Sequence, residues 1–331
     1  MSRRALVTGA TGGLGLAIVR SLLDAGWTVR ANGRSAAGGK RLDLMGAETQ
    51  LGDLLGGDLA ALCADVDTVF HAAALSAPWG PERTFQSINV DATRALLDAA
   101  RSAGVKRFVF VSSPSVYAEL RDRPNLTEAD PPAVHPLNAY ARTKLAAERL
   151  TLDAHDAQFQ TVAVRPRALI GPDDAVFLPR VLRVVERGRF PLFRDGRALV
   201  ELTDVRDAAR AIVLCGERIE RVGGGPVNIA GGRPVAVRDL ALKLGEALSR
   251  PFRFVRIPMA VARPLAQASQ AICKVLPGQP EPVLTPYTLA TLAYTQTFDL
   301  THAREALGFT PQFDAVETAR TLAPQMSAWK A

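Results

Sequence analysis

The hydrophobic residues in the first half of the chain fall into short apolar runs separated by longer segments with helical periodicity. A short apolar run predicts a buried strand, and apolar positions recurring every three or four residues predict a helix that packs on a sheet. The predicted strands are 5–8, 28–31, 50–53, 66–70, 107–113 and 161–164. The predicted helices include 16–23, 85–103 and 140–152. This alternation predicts an α/β fold built on a doubly wound parallel sheet.

The pattern changes in the second half of the chain. Proline, arginine and irregular stretches fill residues 167–199, strand and helix return over 200–230, and 231–331 contains helices that cannot belong to the sheet. We therefore expect a main domain of residues 1–166, to which 200–230 returns, and a smaller domain over the carboxyl edge of the strands. Its most apolar segment, 258–276, is interpreted as a core-packed helix, or as a helix that lines an entrance for an apolar substrate.

A glycine-rich turn connects the first predicted strand to the first predicted helix. Its sequence, Gly9-Ala10-Thr11-Gly12-Gly13-Leu14-Gly15, has the spacing Gly-x-x-Gly-x-x-Gly. Glycines here let backbone amides and the helix N-terminus approach a pyrophosphate. A structural turn alone would also explain the glycines, but the position between strand and helix favours dinucleotide binding. The contacts expected from this turn come from Gly9, Thr11, Gly12, Gly13 and Leu14.

The second predicted strand ends without the acidic residue that NAD-selective sites use to bind the adenosine ribose. Gly33 leaves room there, and Arg34 offers a guanidinium to a 2′-phosphate. NADP is therefore favoured over NAD, although a solvated Arg34 would fit the same sequence. Asp53 and Leu54 follow the third strand and are expected at the adenine edge. Small residues after the fourth strand leave space for the cofactor at Ala72, Ala73 and Ala74.

Tyr140 and Lys144 are four residues apart on a predicted helix, so their side chains should share one face. A neighbouring ammonium favours the phenolate, and we therefore expect the pKa of Tyr140 to be lowered towards neutrality. A half-buried tyrosine beside a solvated lysine is the alternative interpretation, because this spacing is common by chance.

Composition and charge argue against several classes of protein. The net charge is +7, but the basic residues are scattered and no phenylalanine interleaves with a basic run, so we expect no nucleic-acid partner. Cys63, Cys215 and Cys273 are isolated, which predicts neither a metal site nor a disulfide framework. Because no apolar signal segment or membrane-spanning run occurs, we expect a cytoplasmic protein with no integral membrane segment.

Taken together, the glycine turn, Ser113 before Pro114-Ser115-Val116-Tyr117, and the Tyr140/Lys144 pair resemble the short-chain dehydrogenase/reductase superfamily in its extended form. The resemblance implies a Rossmann fold and a catalytic set of Ser113, Tyr140 and Lys144. Tyr140 would exchange a proton with the carbonyl or hydroxyl oxygen that Ser113 also binds, and Lys144 would hold the nicotinamide ribose. It further implies that Asn89 supports the site and that Pro166 lies against the nicotinamide.

Looser motifs resemble the 3β-hydroxysteroid dehydrogenase group, which includes bacterial 2-alkyl-3-oxoalkanoate reductases. These motifs are Ala77-Pro78-Trp79-Gly80, Ser112–Val116, Val164–Arg167 and Pro280–Thr285. The resemblance implies an NAD(P)-dependent oxidoreductase acting on a small hydrophobic molecule, sterol-like or a β-keto lipid, without a metal. A homodimer through the helices 85–103 and 140–152 is possible.

Four residues are candidates for substrate binding. Trp79, Tyr117 and Phe177 would line an apolar pocket, although each could equally belong to the core. Arg167 could bind a substrate carboxylate or pair with an acidic residue of the fold.

Two other functions remain open. A nucleotide-sugar epimerase would use the same three catalytic residues, but such enzymes hold NAD tightly and no acidic residue lies near Gly33. A dinucleotide-sensing regulator without chemistry would typically lack the Tyr140/Lys144 pair. The intact pair therefore favours an enzyme.

Overall fold

The computed structural model describes residues 3–174 and 176–328, and these form an α/β structure. The strands are β1 (Arg4–Thr8), β2 (Thr28–Gly33), β3 (Glu48–Leu51), β4 (Thr68–His71), β5 (Arg107–Val111), β6 (Arg123–Leu126), β7 (Gln160–Pro166), β8 (Leu169–Ile170), β9 (Arg189–Leu192), β10 (Leu199–Val200), β11 (Thr203–Asp204), β12 (Pro226–Ile229), β13 (Val235–Ala236), β14 (Arg253–Arg256) and β15 (Gln296–Phe298). The α-helices are α1 (Gly13–Asp24), α2 (Ala36–Leu44), α3 (Leu59–Cys63), α4 (Glu82–Gln86), α5 (Ala92–Ser102), α6 (Ala139–Asp153), α7 (Leu178–Glu186), α8 (Val205–Glu217), α9 (Ile219–Val222), α10 (Val237–Ala247), α11 (Met259–Val275), α12 (Pro286–Ala293), α13 (Thr301–Leu307) and α14 (Ala315–Ala328).

The main sheet has seven parallel strands in the order β12-β7-β5-β4-β1-β2-β3. Strand order reverses at β1, which pairs with β2 on one side and β4 on the other, so the predicted doubly wound fold is confirmed. Because the strands are parallel, their carboxyl ends meet at one edge, where ligands bind in such sheets.

Alternating side chains of the main sheet enter two separate hydrophobic clusters. Ala5 and Val7 of β1 face the cluster that includes α1 and α8, whereas Leu6 faces the cluster that includes α5. Burial on both faces explains why the strands read as continuous apolar runs rather than as alternating ones.

The predicted helix 85–103 is interrupted in the structure. It consists of α4, a π-helical turn over Ser87–Asp91, and α5. A π-turn carries one extra residue and is frequent at functional sites, and here it turns the buried Asn89 inwards.

A third hydrophobic cluster lies outside the main sheet. It joins residues of α7, β9, α10 and α14, and includes Leu182, Phe190, Leu240 and Ala319. This separate core supports the expected smaller domain of residues 167–199 and 231–331, although the division remains a prediction.

The prediction for segment 258–276 is wrong in both of its forms. The segment is a helix, α11, but only Ala262 and Ala266 are buried, and they pack in a cluster with α12. Val261, Leu265 and Val275 are exposed, and none of the α11 residues lines the main cavity. Among the described residues, no helix is both long and apolar enough to span a membrane.

Candidate active site

One cavity of about 1540 Å³ opens at the carboxyl edge of the main sheet. It brings together most of the residues proposed from the sequence: Gly9, Gly12, Gly13, Leu14, Ala72, Ala74, Ser113, Tyr140, Lys144, Pro166, Arg167 and Phe177. Its apolar lining is supplied in part by α7, α10 and α14 of the third cluster, through Val181, Val184, Leu240 and Leu322. The structure thus joins the glycine turn, the Tyr140/Lys144 pair and an apolar space in a single site.

The glycine turn is packed too tightly for larger residues. Gly9 has φ +67°, and a Cβ there would lie 2.7 Å from the amide nitrogen of Ala73. A Cβ on Gly15 would lie 2.1 Å from the carbonyl oxygen of Gly9. No side chain caps the N-terminus of α1, which follows Gly12, so its amides face the cavity as an anion site. These features fit the pyrophosphate of a dinucleotide.

The residues expected near adenosine lie off the main cavity. The Arg34 guanidinium is 3.6 Å from the Asp53 carboxylate, and both side chains are mostly exposed. Thr11 fills the space above Gly33, where a Cβ would approach its Oγ1 to 2.5 Å. Leu54 is buried in the cluster that contains Leu6, and its contact with an adenine stays a prediction. Arg34 is an exposed guanidinium at the end of β2, which keeps it available to a phosphate.

Asn138 determines where the Tyr140/Lys144 helix begins. Its Oδ1 accepts a hydrogen bond of 2.8 Å from the Ala141 amide, the capping pattern that satisfies a free amide of a first helical turn. Tyr140 therefore lies in the first turn of α6 and Lys144 lies one turn later. Ser113 ends the β5 segment as the N-cap of a 3₁₀ turn, its Oγ accepting a hydrogen bond from Ser115.

The pKa of Tyr140 is raised, which contradicts the lowering expected from Lys144. Burial of the phenol raises the pKa, and hydrogen bonds from Ser113 and Ser76 oppose this only in part. Lys144 does not contribute, because its Nζ donates to the Val111 carbonyl and lies 4.1 Å from the centre of the Phe110 ring. A shared helix face therefore does not guarantee a phenol–ammonium contact.

Ser76 is a site residue that sequence reasoning missed. It follows the small residues 72–74 at the carboxyl end of β4, lines the cavity, and hydrogen-bonds the Tyr140 phenol. Its position after a strand of the sheet, at the edge where ligands bind, was the available signal.

Lys144 is buried, with 2% of its surface exposed. Burial lowers its pKa to about 7, while the Glu148 carboxylate one turn further along α6 acts in the opposite direction. An amine in this state can carry or release a proton near neutral pH.

Asn89 connects three parts of the site. Its Oδ1 accepts from the Leu75 amide at 2.7 Å, and its Nδ2 donates to Thr143 Oγ1 at 3.1 Å. Thr143 in turn donates to the Ala139 carbonyl within α6. Asn89 does not line the cavity, and these contacts let it position the loop after β4 against the helix that carries Tyr140.

His71 is a structural residue of β4. Its Nδ1 is 2.7 Å from Thr8 Oγ1 and its Nε2 is 2.9 Å from Thr93 Oγ1. Burial lowers its pKa to about 3, so the ring is neutral at physiological pH.

A buried ionic network lies under the site and was not predicted. Arg165 and Glu148 form a salt bridge in which both side chains are 3% exposed, and Ser112 donates to the same carboxylate. Arg165 also donates to the hydroxyl of Tyr117. The network ties β5, β7 and α6 together beneath Tyr140.

Two of the four candidate substrate residues do not line the main cavity. Tyr117 is fully buried, stacks near Phe298 and binds Arg165, so it is a core residue. The Trp79 indole donates to the Gln279 carbonyl at 2.8 Å. For Tyr117 the core alternative fits the structure, and Trp79 is bonded within the fold, whereas Phe177 and Arg167 line the cavity.

No cluster of three His, Cys, Asp or Glu side chains that could hold a metal ion is found in residues 3–174 and 176–328. Ser76, Ser113, Lys144 and Arg167 are among the polar residues that line the cavity together with Tyr140.

Comparison with known families gives one extended match. A model described as "NAD dependent epimerase/dehydratase family" matches residues 5–230. The solved structure titled "MoeE5 in complex with UDP-glucuronic acid and NAD" is 27% identical, covers 99% of this chain and 100% of its own, and superposes with a TM-score of 0.76.

Curated relatives carry the names of oxidoreductases. The chain is 33% identical to a 2-alkyl-3-oxoalkanoate reductase of Stenotrophomonas maltophilia, over 98% of this chain and 99% of that protein. It is 32% identical to a 4-hydroxy-2-methyl-3-oxo-4-farnesyl-3,4-dihydroquinoline-1-oxide ketoreductase of Stigmatella aurantiaca, over 92% and 91% of the two chains. A mouse sterol-4-alpha-carboxylate 3-dehydrogenase, decarboxylating, is 27% identical over 94% of this chain and 87% of that protein.

Proposed function

This chain belongs to the NAD dependent epimerase/dehydratase family, the extended short-chain dehydrogenases/reductases, within its 3β-hydroxysteroid dehydrogenase-like group, and we propose that it interconverts a ketone and a secondary alcohol on a hydrophobic molecule. The chain is an oxidoreductase, as the names of the three relatives described above indicate. The observation that carries the finer proposal is the position of Tyr140, which faces the glycine turn and an apolar space in one cavity.

Tyr140 is the proposed proton donor. Its raised pKa keeps the phenol protonated near neutral pH, which is the form needed to protonate the oxygen of a ketone as it is reduced. Ser113 and Ser76 hydrogen-bond the phenol, so both hydroxyls lie where they can also stabilise charge on a bound substrate oxygen. A bound nicotinamide cofactor would exchange the hydride with the carbonyl carbon.

The proposed cofactor site uses the glycine turn for the pyrophosphate and Lys144 with Pro166 for the nicotinamide end. We propose NADP over NAD because β2 itself ends without an acidic residue, and Arg34, although 3.6 Å from the Asp53 carboxylate, is mostly exposed. The cytoplasmic location and the homodimer stay predictions.

The hydrophobic substrate class is supported by the cavity lining and by relatives. Apolar side chains of α7, α10 and α14 line the space away from the glycine turn. The ketoreductase and sterol dehydrogenase relatives carry names of large apolar substrates. Apolar walls with a few convergent polar groups are typical of small-molecule sites.

Replacing Tyr140 with phenylalanine tests the proposal. We expect a loss of kcat on the order of 10²–10⁴-fold with cofactor affinity largely retained, because only the proton donor is removed. Tyr294→Phe is the matched control, since that hydroxyl binds Arg263 outside the cavity. Oxidation of NADH and NADPH would be followed by absorbance with steroid, β-keto acid and aryl ketone panels. Unchanged turnover in Tyr140→Phe would refute the mechanism.

A nucleotide-sugar epimerase is the second candidate, favoured by the similarity to the UDP-glucuronic acid complex. Incubation with UDP-glucuronic acid and UDP-glucose distinguishes the two functions. An epimerase would form the epimeric sugar nucleotide without net change in nicotinamide absorbance, whereas the proposed reductase would leave both sugars unchanged.

A further inference from the structure

Arg167 is a buried arginine without a carboxylate partner among the described residues. The residue is 7% exposed, lines the main cavity, and its Nε has no hydrogen-bond partner. Leaving a buried charge unpaired strongly destabilises a protein. Such a group calls for either an internal counter-ion or a ligand that supplies one.

The other buried arginines of residues 3–174 and 176–328 follow the opposite pattern. Arg30 pairs with Glu48 at 3.0 Å, Arg123 with Glu119 at 3.3 Å, and Arg165 with Glu148. Each of these arginines joins strands or turns of the fold. Arg167 differs both in lacking such a partner and in facing the cavity that contains Tyr140.

Glu201 is the nearby carboxylate, and its oxygens are already used. Oε1 accepts from the Phe298 amide at 2.8 Å and Oε2 accepts from the Gly232 amide at 3.0 Å. Glu201 stabilises the charge of Arg167 from a distance, but no ion pair joins them. The guanidinium therefore retains its donors for a ligand.

Tyr287 completes the surroundings of Arg167. It lies on α12, lines the same cavity, and its phenol is close enough to both Arg167 and Tyr140 for each to shift its pKa. A phenol beside a guanidinium offers a second donor to the same anion. The three side chains surround one polar part of an otherwise apolar space.

We propose that Arg167, assisted by Tyr287, binds the carboxylate of the substrate, which makes the substrate an apolar 3-oxo acid or its 3-hydroxy counterpart. This inference rests on the proposed function, because it places the carboxylate beside the carbonyl that Tyr140 protonates. A guanidinium binds a carboxylate with two parallel hydrogen bonds, and this geometry fixes the distance from the acid group to the reacting carbon. The 2-alkyl-3-oxoalkanoate reductase relative is named for a substrate of this kind.

Binding of a matched acid and ester tests the subsite. The ligands are a long-chain 2-alkyl-3-hydroxyalkanoic acid and its methyl ester, titrated into the Tyr140→Phe protein saturated with oxidised cofactor, so that no turnover interferes. Arg167→Met should raise the Kd of the acid by at least about 30-fold, the effect of removing one partner of a buried charge pair, and change that of the ester by less than about threefold. Arg167→Lys should recover part of the acid affinity, and Tyr287→Phe should weaken acid binding by a smaller factor.

Arg183→Met is the control. Arg183 also lines the cavity, but its side chain is exposed, so its removal should leave the ratio of acid to ester affinity unchanged. Thermal unfolding of each variant shows whether the fold is retained.

Three results would overturn the assignment. Equal affinity of the parent protein for acid and ester would show that no carboxylate subsite exists. Equal weakening of both ligands in Arg167→Met would show that Arg167 has a structural role. A loss confined to cofactor affinity would show that Arg167 binds the cofactor. Failure of the proposed function has a different signature. In that case the acid binds in an Arg167-dependent manner, but the protein with Tyr140 intact does not oxidise it.

Discussion

Replacing Lys144 with methionine should stabilise the cofactor-free protein at neutral pH while removing its activity. The ammonium is buried between the Val111 carbonyl and the Phe110 ring, and burial lowers its pKa from 10.5 to about 7. The unfolded chain therefore binds a proton at pH 7 that the folded chain holds only half of the time. Burial of Lys144 therefore lowers the stability of the cofactor-free protein at neutral pH.

The size of the effect follows from the two pKa values. With about 1.4 kcal/mol for each pKa unit, the penalty is about 4 kcal/mol at pH 7 and about 1 kcal/mol at pH 9.5. Because the folded-state pKa is the lower one, the penalty is complete below about pH 7 and disappears as the pH rises through the unfolded value of 10.5.

Methionine avoids this penalty but leaves the Val111 carbonyl without its donor. That loss costs about 1–3 kcal/mol. The variant should therefore be more stable than the parent by about 1–3 kcal/mol at pH 7 and should show no gain at pH 9.5.

Urea unfolding of both proteins at the two pH values measures the effect. The stability difference between Lys144→Met and the parent should change by about 3 kcal/mol between pH 7 and pH 9.5, because only the parent carries the titrating amine. Lys40→Met, on the exposed face of α2, should show no such change. An equal difference at both pH values would mean that Lys144 is not buried as a neutral or half-charged amine.

Two further variants test the cofactor site. Arg34→Ala should raise the Kd of NADPH by about 10–100-fold, the effect of losing a charged hydrogen bond, with little change for NADH; equal weakening of both, measured by fluorescence titration, would contradict a 2′-phosphate contact. Gly15→Ala should abolish cofactor binding and lower the melting temperature, because its Cβ would lie 2.1 Å from the Gly9 carbonyl oxygen. Gly52→Ala is the control, with no atom within 4 Å of the added Cβ, and cofactor binding retained in Gly15→Ala would show that the turn can relax.

The sheet could be predicted because each of its strands is recognisable from the residues of that strand alone. Each strand is a short apolar run, and β1 shows why: Ala5 and Val7 enter one cluster and Leu6 the other, so every position is buried. The strand bounds shifted by only a few residues, as for β3, predicted at 50–53 and observed at Glu48–Leu51. The interruption before α5 was not predicted, because the apolar pattern was interpreted as one continuous helix over 85–103 and a π-turn adds only one residue to it.

The partners of individual side chains could not be predicted. The sequence was compatible with Tyr117 in a substrate pocket or in the core, and a hydrogen bond from Arg165, 48 positions further along the chain, holds it in the core. The pKa of Tyr140 was expected to fall, yet Lys144 is directed to the Val111 carbonyl instead. In both cases residue type and spacing were compatible with several contacts, and only the three-dimensional neighbours choose among them.

The same reasoning explains why the substrate is better inferred from unpaired charge than from motifs. The Ser113, Tyr140 and Lys144 set is compatible with reduction of many carbonyl compounds, because it contacts only the reacting oxygen and the cofactor. Specificity requires groups that bind what lies beyond that oxygen, and buried groups that gain a partner only from the correct ligand discriminate most strongly. Arg167 meets this condition. Among the described residues, the other buried arginines are paired with carboxylates, whereas Arg167 faces the cavity without such a partner. A ligand without an anionic group would leave that guanidinium buried and unpaired, so the cavity itself should select for an acid.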